Sequence, residues 1–350
     1  MIDIFDKKHE KDELLKYVGD LSQVAGTKEY VLTSGKEDGV RGIDVKTGAG
    51  LSFTVLPSRG MDIAWADYKS VPLSFVSKSG VTAPAFFDDE GLEFLRGFYC
   101  GLLTTCGLTY MGAPCEDQGE SLGLHGRISN IPAFDVCVDK EWVDGEYIIK
   151  LKGKVRESKM FGENICLTRE IITKMGDNTI YINDSIENCG FDAQPFMLLY
   201  HCNFGYPLLS EDSEMLYVGT KVTGRDDEAN GGIATHNTFE KPTHGYSEQV
   251  FYHDLEANEQ GQTYACVFNN KLSLGAYVKF NKNQFAKFGE WKMMGESDYV
   301  LGLEPATWVP EGRAKAREQG ELDFIQPGEV KKFNFSIGVV RAKDELEALL

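Results

Sequence analysis

The feature that most limits what this chain can fold into is a two-residue alternation of apolar and charged side chains. In EYIIKLKGKVR, residues 146–156, Tyr147, Ile149, Leu151 and Val155 alternate with Lys150, Lys152, Lys154 and Arg156. Successive side chains of a strand point to opposite faces, so this period predicts a strand with one face on a core and the other in water. The pattern recurs. NICLTREIIT (164–173) leads through the turn residues MGDN (175–178) into TIYINDSIEN, where Ile180, Ile182 and Ile186 alternate with polar neighbours. KKFNFSIGVV, near the C-terminus, puts Phe333, Phe335, Ile337 and Val339 on one face. Helical spacing is confined to short pieces at about 10–17 and 88–96, in GRAKAREQG and in DELEALL.

Strands and helices do not alternate as βαβ units, and neither a GxGxxG motif nor a phosphate-binding loop is present, which disfavours nucleotide-binding α/β folds. The fold class expected is all-β with a few short helices. Roughly eighteen to twenty strands are too many for one immunoglobulin-like sandwich, so a single large sandwich or barrel-like β domain is the architecture expected. No repeat of fixed period points to a propeller or β-helix.

Charge and cysteine usage narrow the function classes. The 36 Lys and Arg against 54 Asp and Glu leave a formal charge of −18, which repels nucleic-acid phosphates and anionic membrane surfaces. Eight cysteines without a CxxC pair read as free thiols of a reducing compartment. The charged N-terminal segment MIDIFDKKHEKDELLKYVGD has no apolar core of a signal peptide, so a cytoplasmic location is expected. From Gly97 to Cys115 the chain carries no charge, yet its glycines, threonines and Pro114 make a poor membrane helix; a buried strand and glycine-rich loop is the reading.

Against this background three polar segments stand out: GLHGRIS with His125 and Arg127, LLYHCNFGYP with His201 and Asn203, and LGLEPATWVP with Glu304 and Trp308. Imidazoles and a carboxylate are the groups that proton transfer near neutral pH uses. His201 follows the apolar run PFMLLY, with Asn203 on the same strand face, and Glu304 is the lone carboxylate at the end of YVLGLEP, where Pro305 is expected to end the strand. A carboxylate there is paired, hydrogen-bonded or functional. Arg59, in TVLPSRGMDI, fits either a salt bridge to a buried acid or a donor to substrate oxygens. GESLG (119–123) matches the nucleophile elbow of hydrolases, but its flanks offer neither the strand nor the helix that the elbow requires. His236, His244 and His253 lack the tight spacing of a zinc site and read as loop histidines, so no metal and no cofactor is expected. The excursion 223–249 reads as a long surface loop bordering the site.

In combination, LHGR, the strand ending YHxNxG and the late LExxxW resemble the galactose mutarotase (aldose 1-epimerase) superfamily, in its mutarotase-related branch. The resemblance runs from RGMDI at residue 59 to the IQPGEVKKFNFSIGVV tail. It implies a large β-supersandwich spanning 1–350 as one domain, with residues 1–25 as a helical extension, and a sugar as the small-molecule partner. It also implies catalytic roles: Glu304 takes the proton of the anomeric hydroxyl, His201 protonates the ring oxygen, and rotation after ring opening gives the other anomer. His125, Arg127, Arg59, Asn203 and Trp308 become substrate-binding candidates. With unperturbed values, Glu304 is ionised at neutral pH and raises the pKa of His201. The match is incomplete, because the family's HxYxN is here His201, Cys202, Asn203, and its sugar-binding aspartate is replaced by Asp226, Asp254 or His253. Arg59 and Arg127 suit an anionic sugar. Another sugar isomerase, a lyase, a glycosidase and a non-catalytic carbohydrate-binding protein are the alternatives.

Overall fold

A computed structural model describes residues 1–5 and 7–350, and about half of the chain is strand. The alternating segment is the strand Glu146–Ser158, whose side chains from Tyr147 to Val155 are buried at every second position. It pairs antiparallel with Asn164–Lys174, which pairs with Thr179–Asn188, which pairs with Val330–Val340. These strands belong to an antiparallel eight-stranded sheet. A second sheet of seven strands contains Gln249–Leu255, Lys287–Gly295, Asp298–Ala306 and Gln194–Phe204, in that spatial order. A third, of five strands, covers Gly26 to Pro72.

The two larger sheets meet through interleaved aromatic rings, as an all-β sandwich requires. Phe196 stacks on Phe333 with ring centres 5.8 Å apart, and Tyr200 lies 4.4 Å from Phe335. Burial of each such side chain stabilises the sandwich by roughly 1.5–3 kcal/mol. Gln194–Phe204 is buried on both faces from Phe196 onward. Phe196, Leu198, Tyr200, Cys202 and Phe204 face the main core. Met197 and Leu199 face a smaller cluster with Cys106, Met111, Ala306 and Trp308. The uncharged stretch beginning at Gly97 supplies this second layer. Its strand Thr104–Leu108 pairs with Gln194–Phe204 in register His201 to Thr104, and Leu103 exchanges backbone hydrogen bonds with Ile63 of the five-stranded sheet. Among the described residues, no helix is long and apolar enough to cross a membrane.

The helical pieces are shorter than their sequence patterns: Lys11–Leu14, Glu93–Arg96 and Arg313–Glu318, with Lys343–Leu349 as a 3₁₀ turn. The first 25 residues also differ from a helical extension. Ile2–Ile4 pairs with Lys7–His9, and Ile2, Ile4, Leu14, Val18 and Val24 pack into the main core, where burial outweighs weak helical periodicity.

A polar cross-link joins the three sheets. Arg169 is fully buried, and its guanidinium donates to Asp62 at 2.8 Å and to Asp184 at 2.7 and 2.9 Å. Thr105 donates to both oxygens of Asp62, and Tyr200 donates to Asp184. Removing one member of a buried ion network leaves the others uncompensated, which costs about 3–5 kcal/mol. Arg169→Met is therefore expected to lower unfolding free energy by about that amount in urea denaturation; a loss under about 1 kcal/mol would show that the acids re-pair or take up protons at little cost.

Candidate functional site

His201 and Glu304 stand on neighbouring antiparallel strands. The pairing of these strands lapses between Leu199 with Ala306 and Cys202 with Leu303, so the ladder is open where the two residues face each other. Pro305 has no N–H to donate there, and it lies within the strand Asp298–Ala306 instead of ending it. His201 Nε2 lies 3.1 Å from Glu304 Oε1, a contact without hydrogen-bond alignment, since Oε1 has no hydrogen-bond partner.

The flanking positions are glycines. A Cβ at Gly302 would meet Glu304 Oε1 at 2.7 Å and His201 Cε1 at 3.1 Å, and one at Gly289 would meet Glu304 Oε2 at 3.1 Å. Glycine inside a strand marks a close approach, and here it leaves room around the pair.

His125 reaches the same place from a different backbone. Its φ is +61°, and Gly126, at φ +82°, lies so close to the strand Thr104–Leu108 that a Cβ would meet Gly107 O at 2.2 Å. Gly107 N donates to His125 O, and Arg127 N donates to Gly107 O, which pins the LHGR segment to the strand. The two imidazoles are perpendicular with ring centres 5.7 Å apart, and neither Nδ1 has a partner.

These three side chains line a cavity of about 380 Å³ together with Phe98, Trp291, Arg225 and Glu248. That volume suits a small ligand. Phe98 and Trp291 each place a ring centre 5.2 Å from His201. Glu248 accepts from Trp291 Nε1 at 2.9 Å and from Arg225 Nη1 at 3.1 Å, and Arg225 also pairs with Asp226. The 223–249 excursion thus forms one wall, as its length suggested.

Burial sets the charge state of the empty cavity. It pushes Glu304 up to about 8, with the Glu248 carboxylate adding to the effect and Arg225 opposing it. It pulls His201 down to about 3, with His125 adding and Asn203 opposing, and it lowers His125 to about 4. The expected rise of the His201 value beside an ionised Glu304 is thereby reversed. Desolvation of both charges exceeds their mutual attraction, so at neutral pH the pair holds one proton and that proton sits on Glu304.

Other expected site residues fall elsewhere. Arg59 is buried behind the site, donating to the carbonyls of Ser129, Thr82 and Gly97 and lying over the Tyr99 ring. It staples three loops and is neither a salt bridge nor a cavity residue. Arg127 is held by Asp89 at 2.6 Å and lies over Tyr110, so it braces the segment carrying His125. The clamp for an anionic substrate expected of these two arginines is therefore not formed. Asn203 is fully buried beside His201, donating to the His201 carbonyl, with its Oδ1 unpaired. Trp308 packs against Met197 and Leu199 outside the cavity, beneath Lys287, so the indole that faces a ligand is Trp291. Of the aspartate substitutes, Asp226 caps the helix Asp227–Gly232, Asp254 pairs with Lys282 at the surface, and His253 is buried against Glu290. Glu248 is the second carboxylate, beside Glu304, that lines the cavity. Gly289 followed closely by Trp291, in KFGEW, was the available signal for the missed indole. Ser121 of GESLG is exposed on a two-stranded hairpin, away from the cavity. Among the described residues, the one group of ligand atoms close enough together for a metal ion is His236, His253 and Glu290, outside the cavity.

Comparison with known proteins places this geometry. No curated protein matches the chain. A crystal structure from Klebsiella pneumoniae, provisionally named an aldose 1-epimerase, is 27% identical with a TM-score of 0.88, covering 97% of this chain and 89% of that one. A galactose mutarotase-like protein from Clostridium acetobutylicum is 14% identical with a TM-score of 0.60, over 91% of this chain and 99% of that one. A galactose 1-epimerase from Lactobacillus acidophilus is 12% identical with a TM-score of 0.56, over the same shares. The latter two show the fold. The family model described as "Domain of unknown function (DUF4432)" matches residues 37–339. The chain belongs to that family, a poorly characterised branch with the galactose mutarotase-like fold.

Proposed function

We propose that this protein interconverts the anomers of a neutral aldose by acid–base ring opening. The observation that carries the proposal is the His201–Glu304 pair, 3.1 Å apart in the lining of a sugar-sized cavity. Ring opening needs a base at the anomeric hydroxyl and an acid at the ring oxygen, and a pair with one proton supplies both. In the empty cavity the proton is on Glu304. A bound sugar donates hydroxyl hydrogen bonds to the carboxylate, which favours its ionised form, and an ionised Glu304 favours the His201 imidazolium. Binding thus arms Glu304 as base and His201 as acid. After rotation about C1–C2, ring closure returns both protons by the reverse of the same steps. The reaction moves protons and requires no cofactor.

His125 offers an unpaired nitrogen for a sugar oxygen, and Trp291 offers an apolar ring face for the C–H side of the sugar. Among the described residues, Arg225 is the one cation in the cavity wall, and Asp226 and Glu248 already neutralise it, which favours a neutral sugar over an acidic one. Glu248 has both oxygens engaged, which weighs against a glycosidase with two free carboxylates.

NMR exchange between anomers across a panel of neutral and acidic sugars tests the reaction. Glu304→Gln and His201→Asn are each expected to lower kcat by about 10²–10⁴ with a smaller change in KM; uncatalysed rates over the whole panel with the wild type would sink the proposal. A Cβ at position 302 intrudes on both catalytic side chains at an ordinary φ, so Gly302→Ala should lose turnover while its thermal midpoint moves little. Full activity in that variant would mean that the pair has slack. The pH profile follows from the raised Glu304 value. Below about 8 the pair keeps its proton, so kcat/KM corrected for background should be flat near neutrality and fall as pH rises through about 8. A rate that keeps climbing above that pH would argue for a pair that acts without its proton.

A further inference from the structure

The strands Gln249–Leu255 and Lys287–Gly295 carry the cavity on one face through Val250 and Trp291, and their other face carries a second cluster of titratable groups. We propose that His236, His253 and Glu290 form a binding site for one divalent metal ion of the zinc class. The three side chains are buried, and their ligand atoms lie within 4.8 Å of one another. His236 Nδ1 is 2.9 Å and His253 Nε2 is 2.8 Å from the same oxygen, Glu290 Oε2.

Two nitrogens and a carboxylate are a known zinc donor set, with metal–ligand distances of about 2.0–2.2 Å. Ligand atoms around a tetrahedral ion of that size are about 3.3 Å apart. To admit the ion the nitrogens open from Glu290 Oε2 by about 0.4–0.5 Å, and the cluster, now within 4.8 Å, closes around it.

Hydrogen bonding within the cluster leaves atoms unaccounted for. Glu290 Oε1 and His253 Nδ1 are buried with no hydrogen-bond partner, and buried polar atoms are rarely left so. A bidentate Glu290 would bring Oε1 in as a fourth ligand atom. Lys292, the nearby cation, donates to the carbonyls of Thr235 and Thr238 instead of to Glu290, and so holds the turn that carries His236. The other nitrogen of His236 lies 3.2 Å from Tyr217 Oη, the outer hydrogen bond that orients a metal-bound imidazole. Tyr217 belongs to the eight-stranded sheet, His253 and Glu290 to the seven-stranded one, and His236 to the cavity-wall excursion. A bound ion would fasten all three, and with them the strand that presents Trp291.

The test uses the full chain stripped with chelator, titrated with ZnCl₂ by calorimetry and with CoCl₂ by visible absorption. One equivalent of zinc, the d–d bands of a four-coordinate cobalt site and a raised thermal midpoint are expected. Tyr217→Phe, which removes only the outer hydroxyl, should weaken zinc binding about 10-fold. Glu290→Gln and His253→Gln should lose the equivalent, and His201→Gln, in the cavity, should keep it. The proposal is overturned if the wild type binds no equivalent, if folded Glu290→Gln binds as the wild type does, or if His201→Gln abolishes binding.

Discussion

The Arg169 guanidinium is the point from which the arrangement of the sheets can be understood. Its strand, Asn164–Lys174, lies in the eight-stranded sheet, its partner Asp62 in the five-stranded one, and the Tyr200 and Thr105 that complete the network in the seven-stranded assembly. Apolar packing alone tolerates sliding between layers, because it has no preferred direction. A buried cation that must meet two carboxylates does not tolerate it, since a misaligned sheet leaves charge without a partner. The residue after Tyr200 is His201, on the opposite face of the same strand. The network that aligns the sheets therefore also fixes the position of a cavity imidazole.

The same physics explains the electrostatics of the cavity. Arg169 keeps its charge because full hydrogen bonding offsets its desolvation, whereas Glu304 and His201 have few donors and acceptors around them and settle into neutral forms. Unperturbed pKa values are the right reference for exposed groups and the wrong one here. Hydroxyl groups are hydrogen-bond partners of the kind that this pair lacks, and such partners favour charged forms.

What was legible in the sequence divides along local and non-local lines. The strands from 146 to 188 and from 330 to 340 follow from period two, because one face meets the core and the other meets water. Glu304, His201 and His125 stood out because a polar group closing an apolar run is expensive unless it is used. Arg59 met the same criterion and proved to be a structural staple, since hydrogen bonding to carbonyls satisfies a buried guanidinium as well as a substrate would. The same ambiguity hid Trp291 and Glu248. Their neighbours in space come from strands and loops distant in sequence, and apart from Gly289 two residues before Trp291 no local pattern distinguishes an indole facing a cavity from one packed in a core, as Trp308 shows.

Alternation along a strand also sets how the two faces of the seven-stranded sheet can communicate. Glu290 and Trp291 are consecutive, so one peptide unit separates a group in the His236–His253 cluster from the indole that walls the cavity. Phe251 pairs in register with Glu290, and Gly302 with Trp291. The hydrogen-bonded ladder thus connects Glu290 with Trp291 and with the glycine beside His201 and Glu304. Closely packed interiors transmit strain, and His201 Nε2 and Glu304 Oε1, 3.1 Å apart, both lie beside Gly302.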